Sequence, residues 1–135
     1  MSFVVADIPG IIEGAHQGQG LGLRFLRHIE RTKVLVHLVD VSPYTGRDPV
    51  RDFNVVMKEL ETFNPELARR PQILAANKTD LLGPNDRKRL EDLRRLAARK
   101  KVPFFAVSAL KGQGLKRLVA ATARELDKAG TGLDR

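Results

Sequence analysis

The chain alternates short apolar runs with longer segments whose apolar residues recur every three or four positions. The runs are Phe3-Val4-Val5-Ala6, Val34 to Val39, Ile73 to Ala76 and Pro103 to Val107. Each is of strand length and rich in β-branched or aromatic residues, and a continuously apolar run such as Val34 to Val39 predicts a parallel strand covered on both faces. Between the runs, Leu23, Leu26 and Ile29 predict a helix from 23 to about 33. Asp48-Pro49 is a helix start, a capping acid followed by proline at the first helical position. From it, Phe53, Val56, Met57, Leu60 and Phe63 follow helical spacing until Asn64-Pro65. Leu90, Leu93, Leu96 and Ala97 predict a helix from about Asn85 to Lys101, and Leu115, Leu118, Val119, Thr122 and Leu126 a closing one. Residues 129–135, with two glycines and no apolar periodicity, read as a flexible tail. Strand and helix alternate four times over, which predicts a doubly wound α/β domain with a mostly parallel sheet and helices on both faces.

Three of the strands empty into polar or glycine-containing clusters: Asp7-Ile8-Pro9-Gly10, Asn77-Lys78-Thr79-Asp80 and Ser108-Ala109-Leu110. In a parallel sheet these ends lie along one edge, where ligands bind. The second cluster suits a guanine base. A carboxylate at Asp80 accepts two N–H bonds from the N1 and 2-amino edge, which adenine does not offer, while Lys78 has an aliphatic stem to lay along the ring and Asn77 ties the loop to its neighbours. Taken alone, the same four residues also read as a polar turn that leads into the next helix. Ile11 to Gly22 is glycine-rich, with glycines at 14, 18, 20 and 22, and ordering it costs much backbone entropy without a ligand or partner.

Composition narrows the chemistry. The 135 residues match one domain, with 42% hydrophobic and 30% charged residues. The absence of cysteine removes disulfides, thiolate metal sites and thiol nucleophiles. No apolar run approaches a membrane span and no signal-peptide pattern is present, so a cytoplasmic location without membrane contact is expected. Against 16 Asp+Glu stand 24 Lys+Arg, a net charge of +8 that favours an anionic partner such as RNA or nucleotide phosphate. Much of the excess falls on the helix after Asp80, a surface read either as RNA-facing or as a solvated basic face. His16, His28 and His37 lack ligand spacing, and His37 reads as a satisfied core residue. Asp40, at another strand end, is a functional candidate or a turn cap.

In order, spacing and strand context, the three clusters resemble the Asp-x-x-Gly, Asn-Lys-x-Asp and Ser-Ala-x elements of translation-factor-type GTPases. Asp7-Ile8-Pro9-Gly10-Ile11-Ile12-Glu13-Gly14-Ala15 and Phe25-Leu26-Arg27-His28-Ile29-Glu30-Arg31 resemble the second switch of the Obg family, ribosome-associated GTPases of large-subunit assembly. The resemblance covers Phe3 to about Lys128 and identifies residues 1–128 as a partial G domain that starts at the second-switch strand. It implies GTP or GDP as ligand, with Asp7 holding Mg²⁺ through a water and the Gly10 N–H meeting the γ-phosphate. It also implies guanine recognition by Asn77, Lys78 and Asp80, with Ser108, Ala109 and Leu110 closing over the base and a backbone N–H presented to O6. A ribosomal or rRNA contact through the basic surface is implied as well. Where Ras-like enzymes place a water-orienting glutamine, this chain has Ile11, so no catalytic residue is identifiable.

No Gly-x-x-x-x-Gly-Lys-Ser/Thr occurs in the chain, so the phosphate-cradling loop of the family is missing from it, as is the first switch. The sequence therefore reads as the carboxyl-terminal part of a G domain. Its 135 residues are taken either as a GTPase segment, as a non-hydrolysing guanine or RNA-binding remnant, or as a structural fragment. In the family's sheet the missing first strand lies between the Phe3 strand and the Val34 strand. Without it, Phe3 to Ala6 must close the gap, sit as a poorly paired edge, or recruit another chain. Self-association through Phe3 to Ala6 is the expected outcome, because an exposed apolar edge recruits strands. Sedimentation should show concentration-dependent dimers; a monodisperse monomer whose Phe3 to Ala6 amides resist hydrogen exchange would contradict it.

Overall fold

The computed structural model describes Val5–Ala6 and residues 33–131, with side chains from Lys33 to Lys128. Four strands, β1 (Val5–Ala6), β2 (Leu35–Asp40), β3 (Gln72–Asn77) and β4 (Phe104–Ala106), form one sheet in the order β1-β2-β3-β4 with every pairing parallel. Helices α1 (Pro49–Phe63) and α2 (Pro65–Arg69) connect β2 to β3. Helix α3 (Arg87–Lys100) connects β3 to β4, and α4 (Leu115–Thr131) follows β4. The helix expected over 23–33 and the glycine-rich stretch lie outside the described residues.

Two cores follow from the period-two alternation of the strands. On one face Val39, Leu74 and Ala76 pack with Phe53 of α1 and with Leu93, Leu96 and Ala97 of α3. On the other, Val34, Val36, Ile73 and Ala75 pack with Leu118 and Ala121 of α4. All six residues of β3 are buried, which is why its sequence shows no polar alternate positions.

Helix boundaries follow local chemistry. The Asp48 side chain accepts the Val50 N–H at the start of α1. Asn64 ends α1 and caps α2, its side-chain oxygen accepting the Glu66 N–H. The short helix α2 occupies a stretch that the sequence pattern reads as a plain connection, since five residues carry too little periodicity to register. The closing helix runs to Thr131, past the Lys128 boundary expected from the glycines.

Of the outcomes open to the Phe3 strand, pairing within the chain is the one observed. Val5 pairs with Val36 and Ala6 with His37, so the first and second strands of this chain meet directly.

His37 is buried beside the Phe53 ring, with centroids 4.9 Å apart, and its Nε2 lies 2.8 Å from Gln72 Oε1. Gln72 in turn donates its amide to the Ala68 carbonyl at 2.9 Å. Burial lowers the His37 pKa from 6.5 to about 4, with the Gln72 bond acting in the opposite direction. The unfolded chain therefore takes up a proton between these values that the folded chain refuses. Stability is fully present above about pH 6.5 and declines as pH falls toward 4, by up to about 3 kcal/mol. Denaturant unfolding over this range should show the decline, and His37→Leu should flatten it.

Candidate functional site

The carboxyl ends of β2, β3 and β4 are joined into one rim. Val41 N–H donates to the Asn77 carbonyl at 3.1 Å, and Val107 N–H to the Ala76 carbonyl at 2.8 Å. Beyond the strands, side chains take over. Asn77, itself buried, accepts the Ala109 N–H on its Oδ1 at 3.0 Å. Thr79 donates both its hydroxyl and its backbone N–H to the Val107 carbonyl, at 2.9 and 3.2 Å. The sequence motif leaves position 79 free, yet here it fastens the β3 loop to the β4 loop.

The Ser108-Ala109-Leu110 turn is folded by its own backbone. Ser108 and Gln113 exchange N–H···O=C bonds of 3.0 and 3.1 Å, and Ser108 Oγ, fully buried, accepts the Lys111 N–H at 3.3 Å. Gly114 closes the turn with a φ of +76°, and a Cβ there would stand 2.6 Å from the Ala106 carbonyl oxygen, so only glycine fits. The Ser108 and Ala109 N–H groups are thus both engaged, while Leu110 is 90% exposed and its N–H has no partner among the described residues.

Lys78 adopts the left-handed conformation, φ 66° and ψ 34°, which a non-glycine residue takes at a cost of about 1 kcal/mol. Its Nζ lies 2.9 Å from Asp40 Oδ2, and Asp40 Oδ1 accepts the Ser42 N–H at 2.8 Å. The Asp40 carboxylate is therefore both turn cap and anchor of Lys78. Asp80 follows in a short 3₁₀ turn, Thr79–Leu81, half-buried and without a hydrogen bond or ion pair among the described residues. A partnerless carboxylate beside an anchored lysine and an exposed amide turn has the donor and acceptor complement of a purine reader.

Two further residues build the rim and were not visible in sequence. Arg89, on α3, donates Nε to the Val41 carbonyl at 2.9 Å and Nη2 to the carbonyls of both Ser42, at 3.0 Å, and Arg47. One guanidinium thus fixes the whole loop that follows Asp40. Arg47 forms a bidentate pair with the buried Asp52 carboxylate, 2.8 to 3.1 Å. Within a run of basic residues no sequence signal separated Arg89 from its solvated neighbours.

The structure therefore brings together Asn77, Lys78, Asp80, Ser108, Ala109 and Leu110. Asp7, Gly10 and Ile11 lie outside the described residues. Among the described residues, no group of three or more His, Cys, Asp or Glu is placed to hold a metal ion, and no helix is long and apolar enough to cross a membrane.

Comparison with known proteins points the same way. Residues 1–78 match the family model described as 50S ribosome-binding GTPase. The chain is 57% identical to a GTPase Obg of Desulforudis audaxviator over 128 residues, covering 93% of this chain and 29% of that protein. It is 56% identical to a GTPase Obg of Solibacter usitatus over 122 residues, 90% of this chain and 36% of that one. It therefore spans about a third of the length of these relatives. A solved structure of Era in complex with MgGDPNP and nucleotides 1506–1542 of 16S ribosomal RNA superimposes with a TM-score of 0.54 at 22% identity, over 74% of this chain and 31% of that one. At that identity the likeness concerns the fold.

The rim geometry sets an expectation for two neighbouring positions. Asn77→Ala strands the Ala109 N–H and should cost about 1–2 kcal/mol. Lys78→Ala removes a half-exposed ion pair and should cost less than about 1 kcal/mol. Urea unfolding of the two variants checks the order.

Proposed function

Since the chain belongs to the 50S ribosome-binding GTPase family, we propose that it carries the guanine-reading half of the nucleotide site of an Obg-type GTPase. The parent activity is hydrolysis of GTP to GDP and phosphate with Mg²⁺, linked to assembly of the large ribosomal subunit. The single observation that carries this reading is the half-buried Asp80 carboxylate, partnerless among the described residues, on a loop bonded through Asn77 and Thr79 to the Ser108-Ala109-Leu110 turn.

In this assignment Asp80 accepts the N1 and 2-amino hydrogens of guanine. Lys78, held by Asp40, lays its stem along the ring. Ala109 N–H is engaged with Asn77, so O6 is met either by a shared bond from Ala109 or by the unengaged Leu110 N–H. The residues fit the base. For the phosphates and Mg²⁺, the assignment of Asp7 and Gly10 rests on the motif alone, and Ile11 supplies no water-orienting group.

A second reading, a guanine or RNA-binding module without turnover, is favoured by the absence of a phosphate-loop motif from these residues. Phosphate contacts provide most of the electrostatic stabilisation in phosphoryl transfer, and a chain without them keeps recognition and loses rate.

Calorimetric titration with GDP and with guanosine, each with Mg²⁺, separates the readings. Binding of both ligands at similar affinity without turnover supports a base-reading segment, and tight GDP binding with turnover supports a complete enzyme. Asp80→Asn should shift preference from guanine to xanthine nucleosides by about tenfold or more, since the charge-assisted bidentate pair with guanine is lost, while the introduced amide can accept N1–H and donate to the 2-oxo group of xanthine. Unchanged guanine affinity in that variant would refute the assignment of Asp80.

A further inference from the structure

At the opposite pole of the sheet from the guanine rim, the α2–β3 connection and the end of α3 enclose a groove of about 420 Å³. Its charged lining consists of Arg69, Arg70, Lys100 and Lys101, with Met57 and Val102 at its apolar floor and no carboxylate among the lining residues. Arg69, Lys100 and Lys101 are exposed and form no ion pair among the described residues.

Part of the basic surface elsewhere is neutralised by neighbouring carboxylates. On the same helix Lys88 pairs with Asp92 at 2.6 Å, and Arg94 pairs with Glu91 at 3.3 Å and lies 5.0 Å above the Phe104 ring. The groove beside Arg47, Lys88 and Arg89 is lined by Asp48 and Asp92 as well.

Helix dipoles do not account for the cluster. Each of the two helix ends offers at most about half a negative charge, less for the five-residue α2, against four formal positive charges. Two cationic segments, about thirty residues apart in sequence, are folded against each other around a groove that no carboxylate lines. Cations gathered in this way attract an anion to the groove between them.

We propose that this groove is an RNA-backbone site, binding phosphates through Arg69, Arg70, Lys100 and Lys101. Phosphodiester charge repeats along the chain regardless of sequence and meets four cations at once, whereas a peptide needs acids at matching spacing. The net charge of +8 steers a polyanion toward the chain. The choice of RNA among polyanions rests on the ribosome-linked reading above; the guanine rim takes no part in the site.

The test is fluorescence anisotropy of the chain with a short unstructured RNA across a salt series. The fourfold variant Arg69→Ala/Arg70→Ala/Lys100→Ala/Lys101→Ala should lose about tenfold or more in affinity. Its log–log salt slope should fall by about 2 to 3, at about 0.7 for each phosphate no longer neutralised. A charge-matched control, Arg87→Ala/Lys88→Ala/Arg95→Ala/Lys111→Ala, should lose less than about threefold. If the fourfold variant melts early, Lys100→Gln/Lys101→Gln carries the comparison. Equal losses in the two variants, no binding by the unaltered chain, or displacement of the RNA by polyglutamate at equal charge concentration would each overturn the proposal. Guanosine should not displace a guanine-free RNA from the chain, so failure of the groove and failure of the guanine assignment are read separately.

Discussion

The hydrogen bond from Ala109 N–H to Asn77 Oδ1 is the constraint on which the rim depends. It joins the loops that leave two adjacent parallel strands, and the strand register alone does not bring those loops together. Thr79 repeats the link through two bonds to Val107. Because Asn77, Val107 and Ser108 are all buried, losing one partner leaves a polar group without water, and the loops are held with little freedom. Gly114 completes the arrangement by letting the turn approach the Ala106 carbonyl more closely than any side chain permits.

A second layer holds the first. The Lys78 backbone is in a conformation that lysine does not favour, and its ammonium group is paired with Asp40. Asp40 is in turn fixed by the loop that Arg89 grips through three carbonyls. Strain at a ligand-facing residue persists when its surroundings over-determine it, and that condition is met here by residues from β2 and α3. The outcome is a rim organised before any ligand arrives, which would lower the ordering cost of binding the proposed base.

Much of the fold was legible because its signals are local. The continuous apolar runs of β2 and β3 marked strands largely buried on both faces, whereas the similar run at β4 forms a partly exposed strand; Asp48-Pro49 marked the start of α1, and two of the three motifs at strand ends, Asn77-Lys78-Thr79-Asp80 and Ser108-Ala109-Leu110, marked the rim. What was hidden depends on tertiary geometry. Asp40 read as a functional acid or, more readily, as a turn cap until the structure placed Lys78 beside it. Arg89 was one of many basic residues on its helix, and only the fold brings three carbonyls within its reach. Thr79 occupies the variable position of its motif, so motif logic assigned it nothing. The direct pairing of Val5–Ala6 with Val36–His37 was one of three outcomes open to the sequence, and packing within the chain selected it. The gathering of Arg69, Arg70, Lys100 and Lys101 around one groove was equally invisible, because the fold decides which cations from distant segments share a surface.

The proposed guanine half of the site would be pre-formed in this chain, and backbone amide shifts of the labelled chain titrated with guanosine test this most directly. Perturbations confined to residues 77–82 and 108–111, with adenosine producing none and the Arg69–Lys101 pole silent, are the predicted result. Shifts spread over the sheet, an equal response to adenosine, or no response at the Asp80 and Leu110 amides would contradict it.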